Sequence, residues 1–458
     1  MSKSQSDLQD DYRAWSRRSG ELIERAKKVF PGGDTRASAH YPPYPNFVAR
    51  GEGCTLIDED GHEIVDFMNN FTSLIHGHGF GPVVDAVTKQ VRQGTAFAAP
   101  ALNQVALAEL LVERVPSLEL MRFCSSGSEA TLMTIRCARA VTGRQKIMKI
   151  EGGYHGSYEL AEVSLVPFPD QRGQLNRPNS TPVDASIPDS ALNDAVIAPF
   201  NESDIARRLI DEHKDDLAAV IVEPILGSFG MLPAEKEFLQ TLRDETKRAG
   251  VILIFDEVIS LRLNPGGAQQ IYGVTPDLTA MGKIIGGGLP IGAFGGRADL
   301  MSVFDPNSAG TVMHASTFSG NPLSMAAGYA AMSNFGDAEC AHVNALGDRL
   351  RAGCNAVFKD SAIRGQAVGF GSLTNLHLTD EKLKHARNTF EGLASAGAMS
   401  QLLHLGLLRR GIYAAGRLMM CTSTPMANEH VDRAVEALSE TLAEIKPVIE
   451  TERPELLR

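Results

Sequence analysis

No apolar run in this 458-residue chain approaches the roughly 18 residues that a bilayer-crossing helix requires, so no membrane span is expected. The opening MSKSQSDLQDDYRAW lacks the apolar core of a signal peptide, and export is not expected either. Blocks of basic residues are also missing, and the formal charge is −11. Both observations argue against nucleic acid or an anionic membrane as a partner. Cysteine is scarce: Cys54, Cys124, Cys137, Cys340, Cys354 and Cys421 stand apart without C-x-x-C spacing. That pattern disfavours a disulfide frame and a metal site, and it fits a reducing cytoplasm. Glycine-rich strand–helix turns raise the idea of a nucleotide-binding oxidoreductase. No G-x-G-x-x-G follows a first strand with a ribose-binding acid about 20 residues on, so that reading has little support.

What is present is an ordinary globular composition, 43% hydrophobic with 43 glycines, in a chain long enough for two or three domains. From about Leu102 helical and strand patterns alternate, the signature of βαβ units and a mainly parallel sheet. Val251 to Phe255 is a five-residue apolar run without polar alternation, which predicts a strand buried on both faces. Asp256 ends it, where ligands of open parallel sheets collect. Lys283 stands 27 residues on, just before Gly286, Gly287 and Gly288. LAAVIVEP predicts another buried strand, ending in Glu223. In SSGSEATLMTIRCARA a glycine turn opens a helix whose first N–H groups, at Gly127 and Ser128, could cradle an anion; Ser128 could equally be a plain N-cap. Tyr154 and His155 follow a strand in a glycine loop.

Elsewhere, Ser6 to Phe30 reads as a mixed-charge helix, and CTLIDEDGHEIVDF as a hairpin around Asp60-Gly61. Val166 to Phe200 carries six prolines and little periodicity, which predicts a long surface excursion that could wall or cover a pocket. Past Asn334 the pattern becomes α+β: a helix from Cys340 to Lys359, a strand from Gly369 to Leu378, a polar stretch, a helix from Met399 to Arg410, a strand in GIYAAGRLMM and a C-terminal helix from Asn428. The expected division is a large domain over residues 76–333 and a small one over 334–458, joined by the N-terminal segment 1–75.

SSGSEA, GGYHG, VEP, IFDEV, the lysine 27 residues after the aspartate, the glycines behind it and HASTFSGNP occur together and in order. In this set the chain resembles the class III (omega) aminotransferases of pyridoxal-phosphate fold type I, over roughly Phe30 to Met426. Within them it is similar to the branch holding the β-phenylalanine type aminotransferases and glutamate-1-semialdehyde 2,1-aminomutase. The resemblance implies an α/β large domain with a mainly parallel sheet, a smaller α+β domain and pyridoxal 5'-phosphate as cofactor. It implies that Lys283 holds the cofactor as a Schiff base and moves the proton, while Asp256 keeps the ring nitrogen protonated. Ser126, Gly127 and Ser128 would hold the phosphate. Tyr154 and Val258 would cover the ring faces, with His155 beside them and Glu223 near the ring hydroxyl. Thr317 would reach the phosphate of a neighbouring subunit, which implies a homodimer.

The substrates implied are a small amino donor and a 2-oxo acid acceptor, and a carboxylate in a dry site calls for an arginine fork. The resemblance puts Arg36 on that carboxylate, with Arg417 as a second arginine; Tyr41, Tyr44 and Phe71 could line a side-chain pocket or pack a core. Where the aminomutases continue DEV with a T-G-F-R-like run and carry an asparagine after V-E-P, this chain has Ile259-Ser260-Leu261-Arg262 and Ser228. Those departures favour an aminotransferase for β-amino acids over a mutase.

Overall fold

The computed structural model describes residues 4–458, which divide into two compact units. The larger holds Gly81–Cys340 and Leu383–Phe390; the other holds the residues up to Phe80, Ala341–Lys382 and Glu391–Arg458.

The larger unit is built on seven strands: β1 (Leu120–Cys124), β2 (Lys146–Ile150), β3 (Ala195–Ala198), β4 (Leu217–Val222), β5 (Ile252–Asp256), β6 (Leu278–Gly282) and β7 (Gly292–Gly296). Their order across the sheet is β1-β7-β6-β5-β4-β2-β3. Only β7 runs antiparallel to its neighbours. Every residue of β4, β5 and β6 is buried, as expected of strands covered on both faces. Helix α1 (Gly127–Thr142) buries Ala130, Met133, Thr134, Cys137 and Ala138, one face at helical spacing, against β6 and β7. Two further helices, α2 (Ser203–His213) and α3 (Lys236–Ala249), pack on each other; α3 ends at Gly250, whose φ of 62° is the left-handed stop that glycine allows. This arrangement brings the carboxyl ends of β2, β4, β5 and β6 to one edge of the sheet, and the loops after them carry the chemistry.

The other unit has a four-stranded sheet (Val48–Glu52, Thr55–Asp58, Glu63–Asp66, Ile412–Tyr413) and a three-stranded one (Gln366–Phe370, Leu373–His377, Met419–Cys421). Its main core gathers Phe67, Leu350, Phe358, Leu403, Val431 and Leu438.

Five expectations need correction. The stretch Val166–Phe200 is not all surface: it contains the helix Asp189–Asp194 and β3, a fully buried edge strand paired with β2. AVIA is too short an apolar run to stand out among prolines. Ser6–Phe30 is two helices, Gln5–Trp15 and Arg17–Ala26, parted at Ser16, whose hydroxyl donates to Tyr12 O at 2.7 Å. The Gly369–Leu378 strand is a hairpin, because Gly371 turns the chain at φ 51°. In the polar stretch that follows lies an unpredicted helix, Ala386–Ala396. GIYAAGRLMM, read as one strand, supplies one strand to each of the two sheets.

Candidate active site

Asp256, at the end of the central strand, is buried and fixed at both carboxylate oxygens. Oδ1 accepts the Val258 N–H at 3.0 Å, and Oδ2 lies 2.9 Å from His155 Nδ1. Burial pushes the His155 pKa down, against the pull of the Asp256 carboxylate, so the neutral ring donates its Nδ1 proton to Asp256. Its Nε2 is buried without a partner. Thr131 of α1 holds the His155 carbonyl.

Glu223 follows β4. Its Oε1 accepts the Tyr154 N–H at 2.9 Å and Oε2 the Gly227 N–H at 3.1 Å. Burial first, and then the Asp256 charge, raise its pKa to about 8 despite those two donors and the Lys283 ammonium. Glu223 is therefore held toward its protonated form. Tyr154 itself is 39% exposed, with its hydroxyl 3.2 Å from Ser157 Oγ.

Around the start of α1 the N-cap is Ser126, whose Oγ accepts the Glu129 N–H at 3.1 Å. Ser128 Oγ instead accepts the Ser157 N–H at 3.3 Å, tying this turn to the Tyr154 loop. Gly127 lies flush against Val258: a Cβ there would stand 3.1 Å from both valine methyls. Gly282 closes the same corner, since its own Cβ would come within 3.6 Å of Gly127 Cα and 3.5 Å of Val258 Cγ1. Lys283 follows at once, half-buried, with φ 51° at the head of a tight turn that Gly287 and Gly288 continue at φ 58° and 95°. A lysine in the left-handed region costs about 1–3 kcal/mol, and such strain persists where surrounding structure imposes it, often at reactive sites. The larger unit thus gathers Asp256, His155, Glu223, Tyr154, Gly127, Ser128, Val258 and Lys283.

Thr317 belongs to another feature. It is exposed and lines an open groove of about 970 Å³ with Gln104, Leu120, Phe123 and His314. In the other unit, Arg36 is exposed, with Nη1 donating to Asn70 Oδ1 at 3.0 Å and its guanidinium 6.0 Å from the Phe71 ring centre. Arg417 is exposed on the turn before Met419–Cys421. Tyr41 is buried in an aromatic cluster with Tyr12, Tyr44 and His404, and its hydroxyl accepts the Asn46 N–H at 2.7 Å, so it packs a core.

Three residues with large roles carry weak sequence signals. Lys149, in the run KIMKI, is buried, its Nζ donating to the carbonyls of Ala161 and Val163 at 2.6 Å each, and burial depresses its pKa to about 7. Its position among apolar strand residues was the available clue. Glu151 and Arg387 form a buried bidentate pair at 2.7 and 2.9 Å across 236 residues of sequence, which nothing local announces. Among the described residues no cluster suited to a metal ion occurs, and no helix is long and apolar enough to cross a membrane.

Residues 37–442 match the family described as "Aminotransferase class-III". The glutamate-1-semialdehyde 2,1-aminomutase of Methanothermobacter thermautotrophicus is 37% identical over 432 residues, 94% of this chain and all of that one. The β-phenylalanine transaminase of Variovorax paradoxus is also 37% identical, over 91% of this chain and 90% of its own. The crystal structure of an omega-transaminase from Sphaerobacter thermophilus superposes with a TM-score of 0.89 at 46% identity, covering 93% of this chain and 98% of that one.

Proposed function

Since the chain belongs to the class III aminotransferases and works with pyridoxal phosphate, we propose that it moves the amino group of a β-amino acid, or a related carboxylated amine, to a 2-oxo acid such as 2-oxoglutarate or pyruvate. The observation that carries this reading is the fixed carboxylate of Asp256 at the end of the central strand, held by His155 and the Val258 N–H, in the same unit as Lys283. When bound, the cofactor supplies an electron-withdrawing ring that stabilises charge left on the substrate carbon.

The residues present fit that group. Asp256 would face the ring nitrogen and keep it protonated, with the neutral His155 holding the carboxylate in place. Lys283 would hold the cofactor through Nζ, and the same nitrogen would carry the proton between substrate and cofactor carbons. The N–H groups of Gly127 and Ser128, with the Ser126 cap, receive the phosphate at the positive end of α1. Tyr154 and Val258 would cover opposite ring faces, with the bare Gly127 flush against Val258. Glu223, protonated, meets the ring hydroxyl.

Arg36 and Arg417 receive substrate carboxylates, and Phe71 meets the side chain. Arg36 is supported by its lack of any ion pair among the described residues. A second copy of the chain brings its Thr317 to the phosphate, a reading supported by the exposed Leu102, Met313 and Phe318 on the larger unit, 81, 74 and 57% accessible. Sedimentation as a monomer would remove that part. The grouping of the first 80 residues with the C-terminal ones supports a cofactor-binding large domain and a small domain joined by the N-terminal segment.

The aminomutase relative keeps a second reading in view, intramolecular amine transfer. Purified protein given 3-amino-3-phenylpropionate and 2-oxoglutarate or pyruvate should form glutamate or alanine. Isomerisation of glutamate-1-semialdehyde without added acceptor, and no transfer with any such pair, would select the mutase.

A further inference from the structure

After the strand Glu63–Asp66 the chain makes a left-handed helical turn: Asn69, Asn70, Phe71 and Thr72 have φ of 47, 46, 53 and 74°. L-residues avoid this region, and a β-branched threonine avoids it most. Glycines occupy positions 77, 79 and 81 nearby but none of these four, so the turn keeps side chains where backbone freedom would favour none.

Two of the four anchor the turn. Asn69 and Thr72 are buried, and Asn69 Nδ2 donates to the Cys421 carbonyl at 3.0 Å. Asp66 sets the entry, its Oδ1 accepting the Met68 and Asn69 N–H groups at 2.9 and 2.8 Å while Oδ2 meets His78 Nε2 at 2.8 Å. The other two residues are presented outward, and both meet Arg36: Asn70 through its amide oxygen at 3.0 Å, Phe71 through its ring face. The Asn70 amide is itself fixed, because Nδ2 donates to Ser73 Oγ at 3.1 Å and the Ser73 hydroxyl donates back to the Asn70 carbonyl at 2.9 Å. A neutral oxygen on one N–H of a guanidinium orients the fork without cancelling its charge, and leaves donors for a bidentate partner.

We propose that Asn70, displayed by this left-handed turn, is a positioning residue that orients the Arg36 guanidinium toward the substrate carboxylate. The inference rests on the reading of Arg36 as the carboxylate-binding arginine. Asn70 acts through Arg36 and has no separate contact with the reacting atoms.

The test is steady-state kinetics of the holoenzyme with the carboxylated donor that it turns over best. Asn70→Gly suits the backbone, since glycine adopts φ 46° without strain, and removes only the amide. It should raise KM for the donor about tenfold with kcat within about twofold, the scale of one hydrogen bond to a charged group. Asn70→Asp keeps an acceptor but pairs with Arg36, and should raise KM further. Arg36→Ala should raise KM about a hundredfold, and adding Asn70→Gly to it should change nothing more. An unchanged KM in Asn70→Gly beside a raised one in Arg36→Ala would overturn the positioning role alone. Equal effects of Asn70→Gly with and without Arg36 would overturn it as well. An unchanged KM in Arg36→Ala would remove the assignment of Arg36 and this inference with it.

Discussion

Glu223 is the residue whose environment makes the sharpest solution prediction. An isolated glutamate titrates near 4.5, whereas burial and the Asp256 charge lift this one to about 8. Between those pH values the unfolded chain has released the proton that the folded protein still holds. The folded state then binds more protons than the unfolded one, so Glu223 makes stability fall as pH rises from about 4.5 to about 8, and its contribution is flat outside that window. In cofactor-free protein, Glu223→Gln should flatten this dependence and gain stability on the order of a few kcal/mol at pH 8 relative to pH 5, read from thermal or urea unfolding across the range. Parallel pH profiles for the two proteins would show that Glu223 ionises normally. Lys149, common to both, has the opposite sign: its folded value near 7 lies below that of a free lysine, so its contribution to stability rises with pH above about 7.

At the scale of elements, the segment Leu383–Phe390 is pinned to the loop that carries Tyr154. Arg387 pairs with Glu151 through Nε and Nη2, and also donates to the carbonyls of Arg172, Gly173 and Gln174. Gly152, at φ 80°, is tight against the same segment: a Cβ there would sit 2.4 Å from the Ala386 methyl. Arg387→Met leaves a buried carboxylate without its partner and should cost about 3–5 kcal/mol in urea unfolding. Adding Glu151→Leu removes the stranded charge and should recover part of that loss; a double variant no more stable than the single one would mean that the backbone contacts alone hold the segment.

The same elements show what the sequence could and could not reveal. The strand before Asp256 was legible because five consecutive apolar residues have one economical placement, in the middle of a covered sheet. The turn before α1 was legible from its glycine and serines, although the cap is Ser126 and Ser128 ties to Ser157. The edge strand Ala195–Ala198 was not, since four residues leave no periodicity to read. Nor were the Glu151–Arg387 pair and the left-handed turn at Asn69–Thr72, because a contact across 236 residues and a conformation imposed by burial leave no local signature. Tyr41 illustrates the converse: an aromatic residue near Arg36 in sequence suits a pocket wall as well as a core, and burial decided for the core.

For the whole molecule, the two units have separate tasks under the proposed function. Under that reading the larger carries the groups for the cofactor on one edge of a single sheet, and the other carries the arginines for carboxylates. All of this depends on one lysine. Two amines of the larger unit stand out for that role: Lys283, strained at the end of β6, and the buried Lys149, whose pKa is pushed down to about 7 but whose Nζ is committed to two carbonyls. The most direct measurement is borohydride reduction of the holoprotein followed by peptide mass spectrometry. The account predicts that the visible absorbance of the cofactor disappears, that the phosphopyridoxyl group is found on the peptide containing Lys283, and that Lys283→Ala takes up no label. Label on Lys149 or any other lysine, or an absorbance that borohydride leaves unchanged, would contradict it.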